Sequence, residues 1–131
     1  EMIGFFREEP DSQDYPNGLL SLFYPGRGNF IALVDQLWSD AGRQMRTTMA
    51  GGAVPVYSVN APRFIPGVDY SDHMNYWDRG YPAVMVTDTA FYRNPHYHGA
   101  GDTPATLDYQ RMAAVVAGVY RHVRQLANRT E

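Results

Sequence analysis

Three short apolar runs, 29–34 (NFIALV), 54–59 (VPVYSV) and 82–87 (PAVMVT), alternate with stretches whose apolar residues recur at helical spacing. Runs of about six residues have the length of strands buried on both faces and are too short for independent helices. Leu37, Trp38, Ala41, Met45 and Met49 fall near an i, i+4 stripe, so residues 35–49 predict a helix, closed by Gly51 and Gly52. Pro55 demotes the second run to an edge strand or a strand start. Ser71 or Asp72 can cap a short helix reaching Arg79, with Gly80 ending it. Asp108 is placed to cap a last helix over 109–126, with Met112, Val115, Val116, Val119, Tyr120, Val123 and Leu126 as its apolar set. Residues 1–6 read as the tail of a strand, and 7–28, with Pro10, Pro16 and Pro25, as a long loop. The alternation predicts a layered α/β/α domain around a largely parallel or mixed sheet.

A chain of 131 residues is one domain's worth and can bury a real core. With 44% hydrophobic and 19% charged residues, it is neither disordered nor collagen-like. The net charge of -3, with all 11 basic residues arginine and none clustered, gives no electrostatic reason to expect nucleic acid. Without cysteine there are no disulfides or thiolate metal sites, so any metal must be held by His, Asp or Glu. No apolar stretch approaches the roughly 20 residues that a membrane-spanning helix needs. Glu1-Met2-Ile3-Gly4 opens in what reads as a strand end, which carries the expectation that further sequence precedes it.

The most chemically loaded segment is 71–103, SDHMNYWDRGYPAVMVTDTAFYRNPHYHGAGDT, because it delivers aromatic and histidine residues on a loop directly after a strand. Ligands of open α/β sheets bind beyond the carboxyl ends of strands. His98 follows His96 by two residues and precedes Asp102 by four, so it could bind a metal if carboxylates converge on it. Taken alone, a loop histidine is more often a surface group. Glu1 could offer a carboxylate from a neighbouring strand, or be no more than a solvated end. Asp72 and His73 read as a cap and a helix-surface imidazole. Phe91, Tyr92 and Tyr97 either line a pocket or pin the loop, and Asp88 reads as a turn-former with some chance of meeting a substrate amine. On residues alone, the result is an enzyme-like α/β domain with a possible His-carboxylate metal site.

The elements S-D-H, G-Y-P-A and Y-H-x-x-x-D-T, in this order, with EMIGFF at the start and PGRGNFIALV between, closely resemble the C-terminal half of co-catalytic zinc aminopeptidases. That family includes leucyl aminopeptidases, glutamate carboxypeptidase and glutaminyl cyclase. The resemblance implies that residues 1–131 are the C-terminal portion of one zinc-peptidase catalytic domain acting on peptides. In such a site two zinc ions share a bridging water, lower its pKa and polarise the scissile carbonyl, while a base shuttles the proton to the leaving amine. By motif, Glu1 matches a carboxylate ligand of one zinc and His98 the histidine ligand of the other. Tyr97 matches a tyrosine that donates to the developing oxyanion, a contribution of about 3 kcal/mol. Ser71 and Asp72 match positions that orient ligands rather than bind metal. Met2, Phe91 and Tyr92 match the pocket for the substrate's terminal side chain, and His96 matches nothing.

The family's H-x-D motif and Glu-Glu pair are missing, and in relatives they lie upstream of E-M-I-G. The chain alone is therefore expected to be inactive, to bind zinc weakly or not at all, and to have the missing N-terminal half of the domain as its partner. Two other readings stand beside this one. Glutaminyl cyclase needs a tryptophan-rich pocket, and neither Trp38 nor Trp77 lies on the His98 loop. A metal-free binding domain on the same fold would have no reason to keep both Glu1 and His98. Secreted or periplasmic location is implied by the resemblance alone.

Overall fold

A computed structural model describes residues 1–128. Its centre is a three-stranded mixed sheet in the order β2-β1-β3, formed by β1 (Ile31–Asp35), β2 (Val56–Asn60) and β3 (Met85–Thr87). The helices are α1 (Ala41–Met49), α2 (His73–Trp77) and α3 (Tyr109–Ala127), and the fold is α/β as expected. Strand β1 pairs parallel with β2, Leu33 opposite Ser58, and antiparallel with β3, Leu33 opposite Val86.

All of β1 is buried, which explains why it reads as an unbroken apolar run. Its alternate side chains feed two separate cores. Ile31 and Leu33 pack with Met45 and Met49 of α1 and Val115 of α3, whereas Phe30, Ala32 and Val34 join Met85, Val68 and Trp77. The first face is covered by the long helices, and the second by α2 and by loops. That asymmetry matters for the site, because loops leave room where a packed helix would not.

Several local expectations change. Helix α1 starts at Ala41, not at residue 35. Asp35 instead ends β1 fully buried, its Oδ1 accepting from the Gln36 N–H at 2.8 Å and its Oδ2 from the Gly42 N–H at 2.8 Å. A carboxylate from the preceding strand thus meets a free N–H in the first turn of the helix, while Asp40 makes no side-chain capping bond. Trp38 cannot be helical, because its φ is 70°, and its side chain is 97% exposed. Since a left-handed conformation costs an L-residue about 1–2 kcal/mol and this side chain packs on nothing, Trp38→Gly should stabilise the chain. The expected gain is about 0.5–1 kcal/mol in urea denaturation, after allowing for the greater chain entropy of glycine. A loss of stability would show that Trp38 makes contacts in solution.

The capping expectation at α2 also fails in detail, since the Asp72 side chain makes no cap bond and the helix ends at Trp77. His73 is buried there, not on the surface, with Nε2 2.7 Å from the Val68 carbonyl and its ring edge-on to Trp77 at 4.4 Å. At α3 the expectation holds, because Asp108 Oδ1 accepts from the Arg111 N–H at 2.9 Å. Its apolar set, however, divides between two sides. Val115 faces the core next to Gly118, where an added Cβ would meet Met49 Cε at 2.8 Å. Val116, Tyr120, Val123 and Leu126 are exposed.

Residues 1–6 form no strand, yet the segment runs beside β3. The Glu1 backbone nitrogen donates to Val86 O at 3.0 Å, and Asp88 N–H donates to Met2 O at 2.6 Å. Met2 has φ 47°, which breaks the extended geometry a ladder would need. No helix among the described residues is long and apolar enough to cross a membrane.

Candidate active site

Past the end of β3 the chain makes a strained turn. Thr89 and Ala90 both have positive φ, 75° and 47°, and a similar value recurs at Met2 and at His98, where φ is 56°. Met2, Thr89 and Ala90, which adjoin Asp88 in the chain or through its hydrogen bonds, need a structure that holds them there. The holding group is Asp88, 1% exposed. Its Oδ2 accepts from the N–H groups of Gly4 at 3.0 Å and Phe5 at 2.8 Å, and its Oδ1 from that of Ala90 at 3.0 Å. The carboxylate therefore ties the segment that carries Glu1 to the loop that carries Tyr97. Asp88 is not open to a substrate amine, which corrects that part of its reading from the sequence.

Arg93 completes the buried knot at 4% exposure. Its Nη1 donates to Phe30 O at 2.9 Å and Phe5 O at 3.3 Å, and its Nε to Gln13 Oε1 at 2.9 Å. Gln13 in turn bonds Thr89 Oγ1 at 2.9 Å, bracing the strained turn. The guanidinium sits 4.7 Å over the Phe30 ring, and Gly28 is the residue that lets it pass, since a Cβ there would lie 2.7 Å from the arginine side chain. Burial raises the Asp88 pKa, against the pull of the N–H donors and of Arg93. Burial likewise pushes Arg93 down to about 10, with Asp88 opposing it.

Above this knot a cavity of about 200 Å³ opens on the loop-covered face of the sheet, with Glu1, Tyr70, Phe91, Tyr92 and Tyr97 among its lining residues. Glu1 is exposed, and its Oε2 accepts from Ser71 Oγ at 3.0 Å. The aromatic wall is continuous: Phe91 lies 4.4 Å from Tyr92, 5.6 Å from Tyr97 and 6.1 Å from Tyr70, ring centre to ring centre. Tyr97 stacks on His98 at 4.0 Å with an interplanar angle of 14°. His98 itself is exposed.

Of the residues singled out in the sequence, Glu1, Tyr97, Phe91 and Tyr92 thus share one cavity, Ser71 contacts Glu1, and His98 adjoins through Tyr97. Met2 is half-buried and is not among the cavity-lining residues, its carbonyl being the acceptor for Asp88. Asp72 is exposed at the start of α2. His96 lies against Gly101, and its backbone N–H donates to Asn94 Oδ1 at 2.9 Å. Sequence reasoning missed Arg93 and Gln13 altogether. The one available signal was the polar pair Asp88-Thr89 placed directly after an apolar strand. Among the described residues, no group of three or more His, Cys, Asp and Glu gathers to hold a metal ion.

No family model matches the chain, and no solved structure does. Over 121 residues the chain is 51% identical to a protein of Escherichia coli named uncharacterized protein YfbL, covering 91% of this chain and 38% of that one. The chain thus spans well under half the length of that relative. Over 47 residues it is 47% identical to probable leucine aminopeptidases of Arthroderma benhamiae and Trichophyton verrucosum, covering 35% of this chain and 13% of each of those proteins. Its likeness to leucine aminopeptidases is therefore a partial one, confined to about a third of the chain.

Proposed function

We propose that this chain is the substrate-pocket portion of a zinc-dependent aminopeptidase-type hydrolase. The observation that carries the reading is that one cavity is lined both by Glu1, whose carboxylate is oriented by Ser71, and by Tyr97, which stacks on His98. An apolar cavity beside a carboxylate suits a peptide terminus, with the side chain inside and the charged end at the rim. The partial likeness to leucine aminopeptidases supports the same direction.

Glu1 and His98 are of the donor types that zinc takes, a carboxylate oxygen and an imidazole nitrogen. A zinc site needs about four donors, and the described residues bring no third to this pair. The residues present do not by themselves compose the metal site, and no catalytic step follows from this chain alone. In a longer protein, Ser71 would hold the Glu1 carboxylate in orientation, and Tyr97 would offer a hydroxyl beside the cavity it lines.

The 131-residue chain should accordingly release no measurable product from aminoacyl p-nitroanilides. Calorimetric titration with zinc should give a dissociation constant weaker than roughly micromolar, as two ligands without a closed shell allow. Tight one-to-one zinc, or turnover that disappears on His98→Ala, would overturn the expectation of incompleteness.

A further inference from the structure

Helix α3 carries a second apolar stripe that the fold leaves uncovered. Tyr109, Val116, Tyr120 and Val123 are all more than half exposed. With the exposed Ala113 and Ala127 they recur at intervals of four and three residues along the whole helix, the spacing of a seam that packs on another helix. The stripe stands away from α1. Gly118 lies against Met49, His122 Nδ1 is 3.2 Å from Thr48 Oγ1, and that hydroxyl donates to Gln125 Oε1 at 3.1 Å, so 118, 122 and 125 face α1. Val116, Tyr120 and Val123 each come two residues earlier, which is about 200° round the helix. Between the two sides, Val115 and Val119 pack into the sheet's core.

The two helices on this face of the sheet differ in what they show to solvent. Helix α1 presents Arg43, Arg46 and Thr47, as a helix at the outside of a layer does. A helix that is apolar on a further side has the pattern of one with neighbours on both sides.

Charge narrows what the missing neighbour is. Helix α3 contains no Asp or Glu. Its Arg111 pairs with Glu8 and Asp108, whereas Arg121 and Arg124, exposed beside Tyr120 and Val123, make no ion pair among the described residues. A second copy of α3 on this seam would bring more arginine and no carboxylate to answer it. A helix with acidic residues along its flank would complement it, as charges beside a seam select partners. More than half of the Escherichia coli relative lies outside the match, so a longer parent chain has ample length to supply such a helix.

We propose that the outer seam of α3 is a docking face for an amphipathic helix with an acidic flank, supplied by the remainder of a longer parent chain. The proposal rests on the length of that relative and not on the aminopeptidase-type reading.

The test begins with NMR titration of the 131-residue chain by two synthetic three-heptad helices that share leucine at the seam and carry either Glu or Lys beside it. The Glu helix should shift the resonances of Val116, Tyr120 and Val123 and bind about tenfold more tightly than the Lys helix. Val123→Glu should abolish that binding and leave the melting temperature unchanged, because the side chain it replaces is exposed. Arg121→Gln with Arg124→Gln should make the two helices bind alike. The part of the Escherichia coli relative outside the match, added as a separate polypeptide, should then form a one-to-one complex and protect Tyr120 from nitration by tetranitromethane. Equal binding of the two helices to the parent chain, or binding that survives Val123→Glu, would overturn the proposal. A 131-residue chain that sediments as a dimer and becomes monomeric on Val123→Glu would give the face to a second copy. If the Glu helix binds but the relative's remainder leaves Tyr120 reactive, the occupant is a separate protein and the proposal falls. None of these readouts uses zinc or turnover, so their failure leaves the aminopeptidase-type reading standing, and the failure of that reading leaves them unchanged.

Discussion

Asp88→Ala should cost the chain about 3–5 kcal/mol of stability, the range for removing one partner of a buried charged network. Three buried N–H groups, those of Gly4, Phe5 and Ala90, would lose their acceptor, and Arg93 would keep a buried charge without its anionic neighbour. Each unsatisfied donor alone costs roughly 1–3 kcal/mol. A domain is stable by only about 5–15 kcal/mol, so the variant should melt at a much lower temperature or fail to fold. A loss under 1 kcal/mol in urea denaturation would show that the knot is not what holds the strained turn.

The same residue predicts an unusual pH dependence. Its folded-state pKa is raised above the ordinary value, so the folded chain holds the proton more tightly than the unfolded one. Its contribution to stability is then largest below the ordinary value of 3.8 and is lost as pH rises through the raised folded value. This is the reverse of a salt-bridged aspartate, which contributes above its unfolded pKa. Asp88→Asn cannot ionise, so the stability difference between the parent chain and this variant should fall with rising pH across that window and be flat above it. The amide is no full replacement, since its nitrogen would face the N–H of either Ala90 or Gly4 and Phe5.

How far the sequence carried the fold depends on the kind of information each element needed. The strand runs and α3 were legible because burial of β1 on both faces and the helical spacing of Val115 and Val119 are local patterns. The start of α1 was not, because the left-handed Trp38 and the role of Asp35 depend on where β1 ends in space. The antiparallel pairing of β3 was equally hidden, since strand order is not written in any one run. At the candidate site, Tyr97, Phe91, Tyr92 and Glu1 line one cavity and Met2 does not, whereas Arg93 and Gln13 gave no local signal. Their contacts join positions as far apart as Gln13, Phe30 and Arg93. The outward stripe Val116, Tyr120 and Val123 on α3 looked like core because its spacing is that of a core face.

In a chain of the relatives' full length, His98→Asn should lower kcat/KM by about 10³-fold and leave the melting temperature within roughly a degree. The choice of asparagine follows from the backbone, because His98 sits at φ 56°, a conformation that asparagine tolerates and alanine resists. A bound metal's effect on a carbonyl is worth several kcal/mol, and each 1.4 kcal/mol is tenfold in rate. The imidazole is exposed, so its removal empties no core. What changes within the fold is the stack on Tyr97 at 4.0 Å, which should let that ring move and so weaken the cavity wall as well as the proposed metal contact. Tyr97→Phe separates the two effects, since it keeps the stack and removes only the hydroxyl, at an expected cost nearer 10²-fold. Activity of His98→Asn within threefold of the parent would end the metal-ligand reading of this residue. The contrast with Asp88 is the sharper test, because Asp88→Ala should lower stability and activity together, whereas His98→Asn should lower activity alone. Only if the buried knot positions the loop and the exposed histidine does its chemistry do both patterns appear in one protein.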